Sequence, residues 1–144
     1  AFDPLQAGNA HFNLAVLGAA IGRYLENMYG TRSDALNFGV PTDRVIAEWP
    51  TTDPIIRPDT RTPEARAASW VKDAVWNEPW LRLEIPADIA ALRASDPIAA
   101  DQARIAARDG LLAAFAHGYR AVDFVREDDH GSRRCYYLLS PRPA

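Results

Sequence analysis

The sequence has 144 residues, of which 48% are hydrophobic and 24% are charged, and its net charge is -3 with a pI near 5.6. This composition is ordinary for one globular domain, or one domain with a remnant of another, and excludes an intrinsically disordered chain. The acidic balance argues against a nucleic-acid or membrane-surface binder, which would normally carry a basic stripe.

Cysteine usage and targeting signals indicate a cytoplasmic protein. Cys135 is the only cysteine, so no internal disulfide can form, which suits a reducing compartment. No apolar run approaches the roughly 20 residues of a membrane span, and the N-terminus lacks a secretory signal pattern. We therefore expect cytoplasmic localisation and neither a nucleic-acid nor a membrane partner.

The residue pattern of the first third of the chain predicts one helix and two strands. Apolar residues at helical spacing predict a helix from Leu5 to Gly18, and its last glycine suits a left-handed cap. A strand is predicted from Ala19 to Tyr29, and the polar stretch from Gly30 to Pro41 is predicted as a loop. Alternating apolar residues predict a second strand from Arg44 to Trp49.

The middle of the chain predicts an extended connector followed by a strand. Residues Pro50 to Pro63 include four prolines, which disfavour regular structure. Thr62 is predicted to cap a short helix that has Pro63 at its first position. Regular alternation of apolar and charged residues then predicts a strand from Leu81 to Ile85.

The last third predicts a long helix and a hairpin. Asp96 is predicted as the N-cap of a helix from Pro97 to His117. Its apolar stripe is expected to contain Ile98, Ile105 and Leu112, with Leu111 and Phe115 beside it. Strands are predicted from Tyr119 to Arg126 and from Arg133 to Leu139, joined by a turn at Asp128 to Gly131.

The order of these elements favours an α+β fold. A helix, a glycine and a two-stranded ribbon occur in that order twice, in Leu5 to Trp49 and again in Pro97 to Leu139, and an internal duplication is left open. We predict three regions: residues 1–50, a proline-rich connector at 51–79, and a strand–helix–hairpin subdomain at 80–144.

Several motifs resemble one branch of the GNAT superfamily of acyl-CoA-dependent N-acyltransferases. In the first part of the chain they are residues 2–7, 9–14 and 17–18, then Tyr24, Asn27, residues 29–30, 36–37 and 41–44, and Glu48-Trp49. In the second part they are residues 84–88, Arg104, Arg108, residues 118–120 and Asp123-Phe124. The resemblance extends over nearly the whole chain, and the first 49 residues carry its most specific motifs.

The resemblance implies a GNAT-like mixed β-sheet with flanking helices, of which this chain would be the C-terminal portion. It also implies acetyl-CoA or another acyl-CoA as co-substrate, with no metal. GNAT enzymes bind the pyrophosphate on a Gly-containing loop at a helix N-terminus, where backbone N–H groups and the helix dipole suit an anion. No such loop occurs in this sequence. We therefore expect the N-terminal half of the same protein as a partner, and we leave a homodimer open.

The resemblance places the co-substrate near the helix predicted from Leu5 to Gly18. The resemblance implies that Asn9 lies near the pantetheine arm, and helix capping is the alternative. Asn13, on the same helix, could reach the acyl site and is also predicted to bind the co-substrate. His11 would reach the acyl site as an acid or base, and the alternative is a surface histidine beside a core-facing Phe12. The tyrosine that related enzymes use as the acid on this helix is replaced by Leu14.

Further candidates lie downstream of this helix. Asp43 and Arg44 are predicted to recognise the acceptor, because an arginine pairs well with a carboxylate; the alternative is an ion pair that fixes the loop. Glu48 is predicted as a buried general base, and an exposed strand carboxylate is the alternative. Tyr24 or Tyr29 could replace the missing acid.

We expect the reaction to be transfer of an acetyl or succinyl group to a small amine, possible acceptors including an amino acid. The alternative is a non-catalytic GNAT-like module for binding or dimerisation. Arg104 and Arg108 lie one helical turn apart and repel each other, so either a shared anion or a solvated helix face is expected there. The three histidines and Cys135 show no metal-ligand spacing.

Overall fold

The computed structural model describes residues 1–26, 43–49 and 59–141. It confirms the α+β class, because helices pack against one mixed six-stranded sheet with the strand order β2-β1-β5-β6-β4-β3. The strands are β1 (Ala20–Leu25), β2 (Arg44–Glu48), β3 (Ser69–Trp70), β4 (Leu81–Ile85), β5 (Tyr119–Asp129) and β6 (Ser132–Pro141). Neighbouring strands are antiparallel except β3 and β4, which are parallel.

Four α-helices and two irregular helical segments complete the described part of the chain. The α-helices are α1 (Ala7–Ala10), α2 (Pro63–Arg66), α3 (Ile89–Ser95) and α4 (Pro97–Ala116). Helix α1 continues directly into a π-helical stretch, His11–Val16, called the π segment below, and a 3-10 turn covers Val71–Asp73. Helices α2, α3 and α4 begin at side-chain caps formed by Thr62, Asp88 and Asp96.

The predicted N-terminal helix is in the right place, but its buried face differs from the prediction. The π segment widens the helix, and Phe12 and Val16 are 53% and 60% exposed, whereas Leu14 is fully buried. A π-helix has more residues per turn than an α-helix, so the spacing of buried positions shifts along it. The prediction of a core-facing Phe12 is therefore wrong. Gly18 has the predicted left-handed conformation, with φ at 80°.

Helix α4 is confirmed with its Asp96 cap, and Leu111 and Phe115 of its predicted apolar face lie in or against the core, but the predicted stripe through Ile98 and Leu112 is wrong. Ile98 is 74% exposed, and Leu112 is also exposed. The buried residues of α4 are mostly small: Ala100, Ala107, Leu111 and Ala114. Small side chains let the helix approach the sheet closely, so a pattern based on large apolar residues selects the wrong face.

The C-terminal hairpin is confirmed, and both strands are longer than predicted. The turn consists of His130 and Gly131, whose φ angles are 49° and 84°. Two consecutive residues with positive φ are typical of the tight turns that join antiparallel strands. Helix α3 and strand β3 were not predicted. The predicted loop at Gly30 to Pro41 and residues 51–58 of the predicted connector lie outside the described residues.

The two halves of the sheet share one pattern of connections. In the first half, Phe2 forms an antiparallel bridge to Val45 of β2, and β2 pairs with β1. In the second half, β4 pairs antiparallel with β6, and β6 pairs with β5. Antiparallel β1 and β5 meet between the halves at Ile21 and Ala121. Each half therefore runs from an extended segment, a single bridge at Phe2 or strand β4, through helical structure into two antiparallel strands, which agrees with an internal duplication.

Both outer predicted regions, 1–50 and 80–144, contribute strands to this one sheet. The predicted division at 51–79 stays a prediction. The main core lies between the sheet and the helices and combines residues from both regions, among them Leu5, Leu14, Ile21, Leu83, Leu111, Phe124 and Tyr137.

Candidate functional site

A polar cavity of about 610 Å³ lies beside β5. Strand β5 pairs with β1 at Ala121, and its following residues run beside the π segment. The cavity is bounded by the π segment, by β5 and the start of β6, and by residues 60–66. It therefore lies where the two halves of the sheet meet.

Positive charge dominates the wall of this polar cavity. Its ionisable lining residues are His11, Asp123, Asp128 and four arginines: Arg61, Arg66, Arg126 and Arg133. With neutral histidine, four arginines against two aspartates give a formal charge of +2. Guanidinium groups bind carboxylates and phosphates through paired hydrogen bonds, so the cavity has the chemistry of an anion site.

Internal hydrogen bonds fix part of the cavity wall. The Thr60 hydroxyl donates to Asp123 Oδ2 at 2.6 Å, and Arg66 Nε donates to the Thr60 carbonyl at 2.9 Å. Arg133 Nε lies 3.9 Å from Asp128 Oδ1 in an exposed pair. Arg61 is exposed, so its guanidinium meets water as well as the cavity. The hydrogen-bonded part of the wall is therefore at Thr60, whereas Arg61 and Arg133 are exposed to solvent.

Of the three candidate site residues on the N-terminal helix, Asn9, His11 and Asn13, only His11 lines this cavity. His11 is the first residue of the π segment and is half-buried. Asn9 is exposed and lies inside α1, whose N-cap is Gln6, so the capping alternative for Asn9 is wrong. The Asn13 amide donates from Nδ2 to the Asn9 carbonyl at 2.9 Å. Roles for both asparagines in co-substrate binding stay predictions.

A second polar site surrounds the carboxylate of Asp43. Asp43 is only 5% exposed, and its Oδ2 accepts a hydrogen bond from the Tyr24 hydroxyl at 2.7 Å. Arg104 Nη1 of helix α4 lies 3.3 Å from the same oxygen. Burial, and next the hydrogen bond to Asp43, raise the pKa of Tyr24 well above its ordinary value. Tyr24 therefore holds its proton as a donor to Asp43.

This arrangement bears on the prediction that Asp43 and Arg44 recognise the acceptor. The Asp43 carboxylate is engaged with Tyr24 and Arg104, and Arg44 Nη1 donates to the Asp43 backbone carbonyl at 2.7 Å. The alternative of a fixed loop is thus favoured for Asp43, although its carboxylate partner is Arg104 and not the neighbouring arginine. The role in acceptor recognition stays a prediction.

Glu48 is exposed, so the expectation that it is buried is wrong. It lies at the end of β2, where the strand reaches the sheet margin and solvent. Among the described residues, Asp43, Arg44 and Glu48 do not line the polar cavity with His11. Tyr29 lies outside the described residues. The structure thus separates the predicted site residues into different places.

The paired arginines of α4 have separate partners. Arg104 contacts Asp43 and Asp101, whereas Arg108 contacts Asp109 and Glu26. A shared anion is therefore not needed to explain why the two cations lie one turn apart. Each instead links α4 to the first half of the chain.

An apolar cavity of about 490 Å³ lies between α4 and β4. Trp70 and Trp76 form aromatic parts of its wall, and Leu83 and Gly110 line it where helix and strand approach. Lys72 lines the same cavity. The two cavities share no lining residue.

Sequence reasoning missed the four arginines of the polar cavity. Arginine supplies all but one of the 16 positive charges, but this excess does not indicate where in the fold the arginines lie. The arginines come from residues 61–66 and from both strands of the hairpin, so their convergence depends on the sheet topology. The excess of arginine was the only signal available in the sequence.

Comparisons with family models, with curated proteins and with solved structures find no match to this chain. Within residues 1–26, 43–49 and 59–141, no cluster of three or more His, Cys, Asp or Glu side chains could hold a metal ion. In the same ranges, no helix combines the length and apolar character needed to cross a membrane.

Proposed function

We propose that this chain is part of a GNAT-type acyl-CoA-dependent N-acyltransferase that transfers an acetyl or succinyl group to a small amine. The motifs in residues 2–18 and 41–49 carry the family resemblance. The observation that carries the site assignment is the position of His11 in the wall of an arginine-lined polar cavity. Acyl-CoA is an anionic co-substrate, and removal of a proton from the amine calls for a general base such as an imidazole.

The π segment supports the choice of His11. π-helical insertions are uncommon and occur frequently at functional sites, because they displace side chains from the regular helical positions. His11 is the first residue of this segment, and the following turn buries Leu14. The irregularity thus directs one face of the helix into the core while His11 remains at the cavity.

The reaction requires proton transfer from the acceptor. The amine nitrogen attacks the thioester carbonyl carbon, the C–N bond forms, and the C–S bond breaks. The nitrogen gives up a proton, and the CoA thiolate takes up a proton to leave as the thiol. We assign the first proton transfer to His11, since a neutral imidazole is a common general base near neutral pH. Arginines of the cavity would bind the negative charges of the acyl-CoA.

The same proposal gives Asp43 a positioning role. Its carboxylate joins Tyr24 of β1 to Arg104 of α4, so it holds the start of β2 against both elements. Glu48 remains a proposed catalytic residue, now as an exposed carboxylate at the end of β2. Asn9 and Asn13 remain proposed contacts of the pantetheine arm.

Calorimetry with acetyl-CoA and succinyl-CoA on the complete protein tests the proposal. Arg126→Gln removes one cavity cation, and we expect it to weaken binding about tenfold, since hydrogen bonds to charged groups contribute about 1.5–3 kcal/mol. Arg93→Gln is the matched control, because Arg93 lies outside the cavity lining and pairs with Asp3 at 3.8 Å. Absence of acyl-CoA binding by the wild-type protein would refute the proposal.

Thiol release in the presence of amines tests the catalytic assignment. His11→Gln should lower kcat about a hundredfold or more and leave acyl-CoA affinity nearly unchanged, since general acid–base catalysis contributes about 10²–10⁴-fold. His130→Asn is the control, because His130 is an exposed turn residue and asparagine tolerates its positive φ. Acyl-CoA binding without thiol release for any amine would instead favour the non-catalytic binding module.

A further inference from the structure

The apolar cavity between α4 and β4 has a fixed aromatic wall at Trp70. The Arg82 guanidinium lies 4.0 Å from the centre of the Trp70 ring, and Arg82 Nε donates to the Ala68 carbonyl at 2.7 Å. Tyr136 meets the Trp70 ring edge-to-face at 5.7 Å. These contacts fix the ring, yet Trp70 is only half-buried and lines the cavity.

The second aromatic wall is held in an unusual backbone conformation. Trp76 has a φ of 64°, which is rare for a bulky residue and costs free energy that the surrounding contacts must offset. Its ring stacks on His117 at 4.0 Å with an interplanar angle of 1°, and Tyr119 packs against it edge-to-face. The Tyr119 hydroxyl also donates to the Glu78 carbonyl at 2.7 Å, just beyond Trp76. Such strain concentrates at functional sites.

Two cations of the cavity wall, Lys72 and Arg82, form no ion pair in the described part of the structure, but the Arg82 guanidinium is engaged with the Trp70 ring and the Ala68 carbonyl. Glu84 forms a bidentate pair with Arg134, at 2.7 and 3.2 Å, and Asp109 pairs with Arg108 at 3.0 Å. Lys72, the only lysine of the chain, has no carboxylate within ion-pair distance in the described part of the structure. A mainly apolar cavity thus has one ammonium group available for an anion.

We propose that this cavity binds a planar, apolar monocarboxylate, with its rings beside Trp70 and Trp76 and its carboxylate at Lys72. The volume of about 490 Å³ falls within the range of small-molecule sites. Flat aromatic walls favour a planar ligand, since stacked and edge-to-face contacts add to the burial of apolar area. A polyanion would lose more hydration than a single ammonium group restores. This site shares no lining residue with the polar cavity, so it is independent of the proposed acyltransfer.

Titration of the complete protein with 2-naphthoate and with the neutral 2-naphthamide tests the proposal. We expect 2-naphthoate to bind with a Kd of a few mM or below. This affinity needs only the modest binding free energy per non-hydrogen atom that ordinary small ligands reach. Lys72→Met keeps a long apolar side chain and removes the charge. It should weaken 2-naphthoate binding about tenfold and change 2-naphthamide binding less than about twofold.

A glycine substitution tests the cavity itself. A Cβ at Gly110 would lie 2.7 Å from Leu83 Cδ1, the end of a flexible side chain that lines the cavity. Gly110→Ala should therefore push Leu83 into the cavity and weaken the binding of both 2-naphthoate and 2-naphthamide about tenfold. Gly8→Ala is the matched control, because Gly8 is also helical and its Cβ would meet nothing within 4 Å.

Circular dichroism of each variant checks that the fold is retained. Absence of 2-naphthoate binding up to about 10 mM in the wild-type protein would overturn the proposal. Equal weakening of both ligands by Lys72→Met would overturn the carboxylate assignment, and unchanged binding in a folded Gly110→Ala protein would overturn the location. Failure of acyl-CoA binding would leave each of these results unaffected.

Discussion

The hydroxyl of Tyr24 offers a quantitative test of the site around Asp43. Tyr24 is 8% exposed, and its hydroxyl donates to the carboxylate of Asp43 at 2.7 Å. Tyr24→Phe keeps the ring and removes this one donor. A hydrogen bond to a charged group contributes about 1.5–3 kcal/mol. Arg104 still pairs with the same oxygen, so we expect a loss of about 2 kcal/mol in the free energy of unfolding at pH 7.

The same substitution should change the dependence of stability on alkaline pH. Burial raises the pKa of Tyr24 above its ordinary value of 10.0, and the hydrogen bond to Asp43 raises it further. Above pH 10 the unfolded state therefore loses a proton that the folded state keeps, so the wild-type protein loses stability as pH rises, by up to about 1.4 kcal/mol per pH unit for this residue. The phenylalanine variant lacks this loss. The wild-type protein should exceed the Tyr24→Phe variant by about 2 kcal/mol in the free energy of unfolding at pH 7, and this difference should therefore vanish near pH 11.5.

Urea unfolding followed by tryptophan fluorescence at pH 7, 10 and 11.5 measures both effects. Tyr119→Phe is the control, because the Tyr119 hydroxyl donates to a neutral backbone carbonyl, at Glu78. Tyr119→Phe should lower the free energy of unfolding at pH 7 by about 1 kcal/mol. A loss below about 0.5 kcal/mol for Tyr24→Phe, or wild-type and variant curves that stay parallel above pH 10, would refute the reasoning.

Three further predictions concern Arg104, Gly131 and Cys135. Arg104→Met should lower the free energy of unfolding, measured in urea, by about 3–5 kcal/mol, because it removes a cation that pairs with the buried Asp43 carboxylate; a loss below about 1 kcal/mol would contradict this account. Gly131→Ala should lower the free energy of unfolding by about 1 kcal/mol. An added Cβ would meet nothing within 4 Å, so the only cost is the backbone strain of a φ of 84°. A variant as stable as the wild-type protein, or more stable, would contradict this prediction. Cys135 is buried, and burial raises the pKa of its thiol, so a thiol reagent should reach a reactive thiolate only when the protein unfolds. Labelling should therefore proceed at the rate of unfolding, and fast labelling of the native protein would contradict the structure.

Local signals in the sequence identified most of the regular structure. Asp96 and Thr62 were predicted as helix caps, Gly18 as a left-handed cap and Gly131 as part of a hairpin turn, because such features depend on a few neighbouring residues. The faces of the helices were harder to predict. On α4 the buried positions are chiefly alanines, and a pattern based on large residues such as Ile98 does not detect them.

The contacts of the candidate site were harder to predict from the sequence than the helices and strands of the fold. Asp43 was singled out, but its partner was expected next to it in the chain, whereas the structure supplies Arg104 from a helix 61 positions away. The polar cavity likewise depends on how residues 60–66 and the hairpin meet the π segment. Such convergence depends on the order of strands in the sheet, which no single motif encodes.

The meeting of β1 with β5 has a consequence for how the chain folds. Ile21 and Ala121 are 100 positions apart, whereas the two strands of the C-terminal hairpin are joined by a two-residue turn. A hairpin closes within about 1–10 µs, but a pairing across a long loop first loses the entropy of closing that loop. We therefore expect β5 and β6 to form early and to serve as the template on which the first half of the chain assembles. The polar cavity lies at this junction, so it would take shape only in the last steps of folding.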